Sequence, residues 1–432
     1  MAVNTPKEYR NMVMYSVFVR NYSEEGTFEG VRKDLDRIKR LGVDIIWLLP
    51  IHPIGEKARK GVLGSPYAIS DYRAVNPEYG TIDDLKRLVA EIHDRGMKCI
   101  IDVVYNHTSP DSRLAAEHPE WFYRRADGSF GNKVGEWLDV IDLDYRNHDL
   151  WAYQIETLKM WSGIVDGFRC DVAPLIPLEF WLEARKAVAQ VNPDCFWLSE
   201  SVEPVFTVAN RARGLVSLSD SEIYQAFDVS YEYDIFAHFK AYLKGEATLS
   251  DYVRCINQQE AIYPENYVKL RFLENHDNAR AAFIIPDEKA LLNWTSFLYF
   301  QKGMTLLYAG QEKMCSHLPS LFDRDAVCWT SEKDLSSLMA RLYEIKKHPL
   351  FTNSSYEVKA LPHDVICASH SLNGKRLIGI FPVRGNRVLI NMDLPNGFYT
   401  NMIGGKPVEV HAGMLHTDGL PIILDLSRPE DA

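Results

Sequence analysis

Short apolar runs alternate with amphipathic segments along most of this chain. Eight runs read as buried strands: 13–20 ("VMYSVFVR"), 44–50 ("DIIWLLP"), 98–107 ("KCIIDVVYNH"), 164–173 ("IVDGFRCDVA"), 195–201 ("CFWLSES"), 226–231, 268–277 ("VKLRFLENHD") and 304–310. Between them the period becomes helical. In 30–42 the apolar positions Val31, Leu35, Ile38 and Leu41 share one helical face. In 81–96, Thr81 is a predicted N-cap, Asp83 and Asp84 fall in the first turn, and Gly96 marks the end. Residues 146–163 and 177–190 have the same texture. Strands alternating with helices point to a parallel sheet with helical cover. Eight repeats favour a closed (β/α)8 TIM barrel over an open doubly wound sheet. No G-x-G-x-x-G follows the first run, so a dinucleotide fold gains no support.

Two stretches break the alternation. Residues 108–145 form a long connection after the third strand, read as a short insertion in the barrel. Connections of that length usually carry function, and Trp121, Phe122, Tyr123 and Trp137 suit the wall of a cleft. After residue 347 the texture becomes strand alternation punctuated by turns ("LNGKRLIGIF", "LPNGFY", "IGGKPV"). The predicted organisation is a barrel domain over 1–347, including the insertion, and an all-β sandwich domain over 348–432.

Composition narrows the partners. Aromatic residues make up 12% of the 432, which suits a large core and equally a cleft where flat rings stack on sugars. Net charge is −11 and no Lys/Arg-dense run occurs, which speaks against nucleic acid or an anionic membrane as partner. No apolar run reaches about 18 residues, so no membrane span is expected. The first twenty residues lack a basic stretch followed by an apolar one, the pattern of a secretory signal. The 7 cysteines are scattered and show no C-x-x-C spacing, unlike a disulfide or zinc framework. The expected location is the cytoplasm.

In a barrel, catalytic groups gather at the C-terminal ends of the strands. The third run ends in Asp102, Asn106 and His107, the fourth in Arg169 and Asp171, the fifth in Glu200, and the seventh in His276 and Asp277. The stretch after the second run adds Tyr67 and Asp71. Arg169 and Asp171 share a strand face, which taken alone is as consistent with a structural ion pair as with a tuned nucleophile. Carboxylates from three strand ends would meet in one pocket and push at least one pKa upward. A retaining glycosidase needs such a pair, one ionised and one protonated, about 5 Å apart. Arg169 is expected to keep Asp171 ionised, and the apolar run before Glu200 to hold a proton there. His52, His107 and His276 are dispersed and no H-E-x-x-H occurs, so no catalytic metal is expected.

Taken together, "DVVYNH" (102–107), "GFRCDVA" (167–173), "WLSES" (197–201) and "FLENHD" (272–277) resemble, in order, the four signature stretches of the α-amylase family (glycoside hydrolase family 13). "GMTLLYAGQE" (303–312) is similar to that family's last barrel strand. The resemblance implies that Asp171 is the nucleophile, Glu200 the general acid/base and Asp277 the transition-state stabiliser. It makes His107 and His276 sugar ligands, Tyr67 a stacking platform and Arg169 the support of Asp171, with Asp102 and Asn106 in structural roles. The implied activity is retaining hydrolysis of α-glucosidic bonds, α-1,4 first, in maltodextrin, starch or glycogen. A transglycosylase with the same residues is the alternative, and a non-catalytic binding barrel is disfavoured by the three carboxylates. Two departures stand out. Pro174 and Leu175 replace a Lys-His pair found in many members, and Ala68 replaces the Asp that follows the stacking Tyr in family α-glucosidases, which implies an open cleft. No cofactor is required. Asn106 matches a frequent calcium ligand, so a structural calcium stays open, although no acidic cluster surrounds it.

Overall fold

A computed structural model describes residues 4–135 and 137–426; the outer ends of the two expected domains (1–3 and 427–432) and residue 136 lie outside the described residues. Each of the eight apolar runs contains one strand: β1 (Val13–Val17), β2 (Ile45–Leu48), β3 (Lys98–Val103), β4 (Gly167–Cys170), β5 (Phe196–Ser199), β6 (Val229–Tyr231), β7 (Lys269–Arg271) and β8 (Met304–Tyr308). They pair in parallel, each with its sequence neighbours, and β8 closes on β1. The strands are shorter than the apolar runs. β3 stops before Asn106 and His107, β4 one residue before Asp171, and β7 before the whole of Phe272–Asp277. The ladder ends at the barrel rim, and at the end of the third run His107 begins a short strand, His107–Thr108, that pairs with Ile141–Asp142 of the insertion.

Register brings the charges of β3 and β4 together, because Asp102 lies opposite Arg169. Gly167 permits close approach of β4 to β5, since a Cβ there would meet the Phe196 carbonyl oxygen at 2.2 Å. The upper barrel interior is aromatic. The guanidinium carbon of Arg169 lies 5.2 Å from the Trp47 ring centre and 5.8 Å from that of Tyr231.

The helices follow the sequence pattern. Thr81 caps helix Ile82–Asp94 in a reciprocal capping box with Asp84. Helices His148–Ser162 and Leu178–Val188 fill the other two expected segments. The segment predicted as one helix over 30–42 is two, Phe28–Arg32 and Leu35–Arg40. The break falls at Asp34, whose carboxylate leaves the helical path to bind the Tyr22 hydroxyl (2.5 Å) and Arg37 (2.8 Å). No helix among the described residues is long and apolar enough to cross a membrane.

Beyond helix Ser336–Lys346 and the short helix Leu350–Asn353, eight strands form two antiparallel sheets. One holds β9 (Ser355–Leu361), β10 (Val365–Leu372), β11 (Lys375–Pro382) and β16 (Ile422–Asp425); the other holds β12 (Val388–Asn391), β13 (Gly397–Thr400), β14 (Pro407–His411) and β15 (Met414–Thr417). Ile378, Ile380 and Leu424 of the first sheet pack on Ile390, Val410 and Leu415 of the second, which makes a sandwich. The first sheet's other face joins the barrel core through Phe300, Phe351 and Phe381. His370 fastens this seam, with its ring 2.9 Å from both the Phe300 carbonyl oxygen and Ser354 Oγ.

Candidate active site

Asp171, Glu200 and Asp277 line one cleft of about 300 Å³ at the C-terminal mouth of the barrel, together with Tyr67 and His107. Arg169 organises its floor. The side chain is fully buried; Nη1 donates to Asp102 Oδ1 (2.8 Å) and to Asp171 Oδ1 (2.7 Å). Its Nη2 lies 2.8 Å from Glu200 Oε1, an ion-pair contact without hydrogen-bond alignment. One guanidinium thus touches the carboxylates of β3, β4 and β5. A planar fork suits this task and an ammonium does not. Asp102 is shut off from solvent and spends its other oxygen on the Tyr67 hydroxyl (3.0 Å).

The other oxygen of Asp171, Oδ2, lies 3.8 Å from His107 Nε2. Glu200 Oε2 accepts from the backbone N–H of Val172 at 2.8 Å. His276 Nε2 contacts Asp277 Oδ2 (3.0 Å) and the Tyr67 hydroxyl (2.7 Å). Tyr67 lies nearly parallel to His276, with ring centres 5.5 Å apart, so that ring covers one face of the tyrosine. The Asp277 side chain is 43% exposed and faces the cleft.

Burial dominates the electrostatics. Loss of solvent pushes Glu200 up to about 8, against the pull of Arg169 and with the push of Asp171 and Asp277. The same loss raises Asp171 to about 6, although Arg169 draws it down. Arg169, expected to keep Asp171 ionised, does pull it down, but its charge is shared among three carboxylates and burial outweighs that pull. The two pKa values still stand apart, with Asp171 the more acidic of the pair. For Asp277, burial works upward but the His276 imidazole wins, and its carboxyl lies below the usual range. Burial pushes His107 down to about 4, against the upward pull of Asp142 and Asp139, and leaves a neutral imidazole.

Several expected features lie elsewhere. Trp121 and Phe122 are buried inside the insertion, stacked on His118 and edge-on to Phe130, and do not form cleft wall. Tyr123 lines a separate cavity, and of the four aromatic residues only Trp137 lines the catalytic cleft. Asp71 turns to the Arg73 amide and toward Arg113. Pro174 and Leu175 form a buried turn. Val172, within the GFRCDVA stretch, also lines the cleft, as do Lys60, Asp139 and Phe322, which no motif singles out in the sequence.

Asn106 lines the separate cavity, of about 340 Å³, with Lys133, Asp142 and Asp144. Its amide donates to His107 Nδ1 (3.2 Å) and Asp142 Oδ1 (3.4 Å). Asp142 Oδ2 takes the Lys133 backbone N–H (2.7 Å), while Lys133 Nζ donates to the Leu143 carbonyl (3.1 Å). Asp144 is clasped by Arg146. Calcium takes six to eight oxygen ligands. These carboxylates are engaged by N–H and guanidinium donors, and an ammonium shares the space, so the residues present do not fit a calcium cage. Among the described residues no group of three or more His, Cys, Asp or Glu is set to hold a metal.

Comparison with known proteins agrees with this geometry. The alpha-amylase catalytic domain model matches residues 16–347, and the bacterial alpha-amylase C-terminal domain model matches 357–424. The crystal structure of an alpha-amylase from Lactobacillus plantarum superposes with a TM-score of 0.95 at 50% identity, covering 97% of this chain and 99% of that one. Alpha-amylase MalA of Haloarcula japonica is 25% identical over 375 residues, 84% of this chain but 52% of that protein. The alpha-1,4-glucan:maltose-1-phosphate maltosyltransferase of Rhodospirillum rubrum is 30% identical over 271 residues, 58% of this chain and 36% of that enzyme. The chain therefore spans about half, or less, of the length of these two curated relatives. With one family model matched over residues 16–347 and a second over 357–424, the chain belongs to the α-amylase family.

Proposed function

We propose that this chain is a retaining glycoside hydrolase that cleaves α-glucosidic bonds, α-1,4 first, in maltodextrin, starch or glycogen-type glucans. The observation that carries the reading is the Arg169 fork, which holds Asp171 and Glu200 side by side at the cleft floor. In the first step Asp171 Oδ2, the oxygen free of Arg169, attacks the anomeric carbon as Glu200 gives its proton to the departing glycosidic oxygen. In the second, Glu200 takes a proton from water, the water oxygen attacks the same carbon, and the bond to Asp171 breaks. Values near 6 for Asp171 and near 8 for Glu200 suit these roles at neutral pH. Ionised Asp277 and the imidazoles of His107 and His276 bind the hydroxyls of the reacting sugar, and the free face of Tyr67 stacks against its ring.

Product analysis tests this. Wild type and Asp171→Asn are incubated with maltoheptaose and the products separated by chromatography. Shorter maltooligosaccharides from wild type alone are the expected result; untouched substrate with wild type sinks the reading. The similarity to maltosyltransferases supports a second outcome, transfer to a sugar hydroxyl in place of water. Products longer than the substrate would reveal it. A cytoplasmic setting belongs to the same proposal, supported by the seven unpaired cysteines and tested by cell fractionation.

A further inference from the structure

On the side of β2, β3 and β8 the cleft is walled by residues from three segments distant in sequence. Lys60, in the connection after β2, places Nζ 2.7 Å from Oδ1 of Asp139 in the insertion after β3. The same ammonium lies 5.9 Å from the ring centre of Phe322, in the connection after β8. The Asp139 side chain is 6% exposed. A carboxylate so buried needs its cation, which makes this pair more than a loose surface contact. A second seam locks the β2 and β8 connections together. The Leu63 and Gly64 amides both donate to the Phe322 carbonyl (2.9 and 3.1 Å), and the Val62 amide donates to Asp323 Oδ1 (2.8 Å). Gly61, at φ +65°, lies so close that a Cβ would meet Phe322 Cβ at 2.6 Å. Arg20 Nη1 braces the seam from below through the Gly64 and Leu321 carbonyls.

The position of the wall decides which end of a glucan it meets. Glu200, on the β5 side of Asp171, must face the leaving oxygen. Tyr67 and His107, from the connections of β2 and β3, hold the sugar whose anomeric carbon is attacked. β8, β1, β2 and β3 follow one another around the barrel on the side opposite β5, so the wall, which shares the cleft with Tyr67 and His107, bounds the glycone part of the chain. The wall and the catalytic carboxylates share a single cleft of about 300 Å³.

We propose that the Lys60–Asp139 bridge and Phe322 close the glycone end of the cleft, so that the enzyme works inward from non-reducing chain ends and releases short maltooligosaccharides of one dominant length. This rests on the glucan reading above and revises the open cleft inferred from Ala68, which is buried. The stop is supplied by a bridge between loops.

The experiment uses maltoheptaose with a chromophore on its reducing end, sampled early in the reaction. Wild type is expected to release one dominant short unlabelled fragment. The double variant Lys60→Ala/Asp139→Ala removes both charges, so no carboxylate is stranded. In it the share of longer unlabelled fragments should rise roughly tenfold. Thermal melting checks that it folds, and Phe322→Ala is a second opening of the wall that leaves the ion pair in place. Unlabelled fragments of every length from wild type would overturn the proposal while leaving the glucan reading intact. So would a wild-type pattern in folded variants. A wild type inactive on every α-glucan would remove the glucan reading and this inference with it.

Discussion

The backbone N–H of Val172 donates a 2.8 Å hydrogen bond to Oε2 of Glu200, and Val172 directly follows Asp171 in the chain. The two catalytic carboxyls are therefore spaced by one peptide unit as well as by Arg169. Val172 achieves this at φ +35°, a left-handed conformation rare for a β-branched residue. Val172→Gly keeps the N–H and removes the strain but frees the backbone. Stability should change by less than about 1 kcal/mol in either direction, while kcat/KM on maltoheptaose falls roughly tenfold as the spacing loosens. Denaturant melts and steady-state kinetics give both numbers; unchanged kinetics would deny the spacing role.

The pH profile follows from the separated carboxyls. Activity needs Asp171 ionised and Glu200 protonated, so kcat/KM should rise through about 6 and fall through about 8. The two limbs are macroscopic values of an interacting pair. A profile still rising at pH 9 would place the proton elsewhere.

Stability carries the opposite sign. The Glu200 pKa is raised on folding, so the group favours the folded state at low pH and loses that contribution as pH climbs from about 4.5 toward 8. Glu200→Gln is never charged. Its melting temperature should match wild type near pH 4.5 and exceed it by about 2 °C or more at pH 8. An equal offset at both pH values would contradict the assignment.

Arg169→Met leaves Asp102, Asp171 and Glu200 without their shared cation. The expected loss is about 3–5 kcal/mol of stability at pH 7, smaller at pH 5, where the carboxyls take up protons. Urea titrations at the two pH values measure it. A loss independent of pH would make Arg169 a packing residue only.

Chelation addresses the cavity beside Asn106. With Lys133 and Arg146 engaging its oxygen-bearing groups, EDTA or added calcium should move the melting temperature by less than about 1 °C. Lys133→Ala should lower it, because the Leu143 carbonyl loses its donor. A melting temperature that drops with EDTA and recovers with calcium would reverse this conclusion.

Much of the molecule is written in local sequence. The alternation of short apolar runs with 3.6-period segments determines eight buried parallel strands with helical cover, because each strand must be apolar to be buried and each helix needs only one apolar face, and it favours their closure into a barrel over an open sheet. The strand-end rule placed Asp171, Glu200 and Asp277 at the mouth without knowledge of any contact, and the Thr81 capping box was legible because its bonds span three residues. Local pattern failed where long-range packing decides. The break at Asp34 depends on Tyr22, and the burial of Trp121 and Phe122 on how the insertion folds on itself. Arg169 was read as the partner of one aspartate because sequence shows only its neighbour two residues on; the register of β3, β4 and β5 gives it three carboxylates. Lys60, Asp139 and Phe322 carry no motif, because their meeting depends on how connections from three strands arch over the barrel rim. Periodicity fixes which residues are buried, but only the closed barrel decides which distant side chains face one another across its mouth.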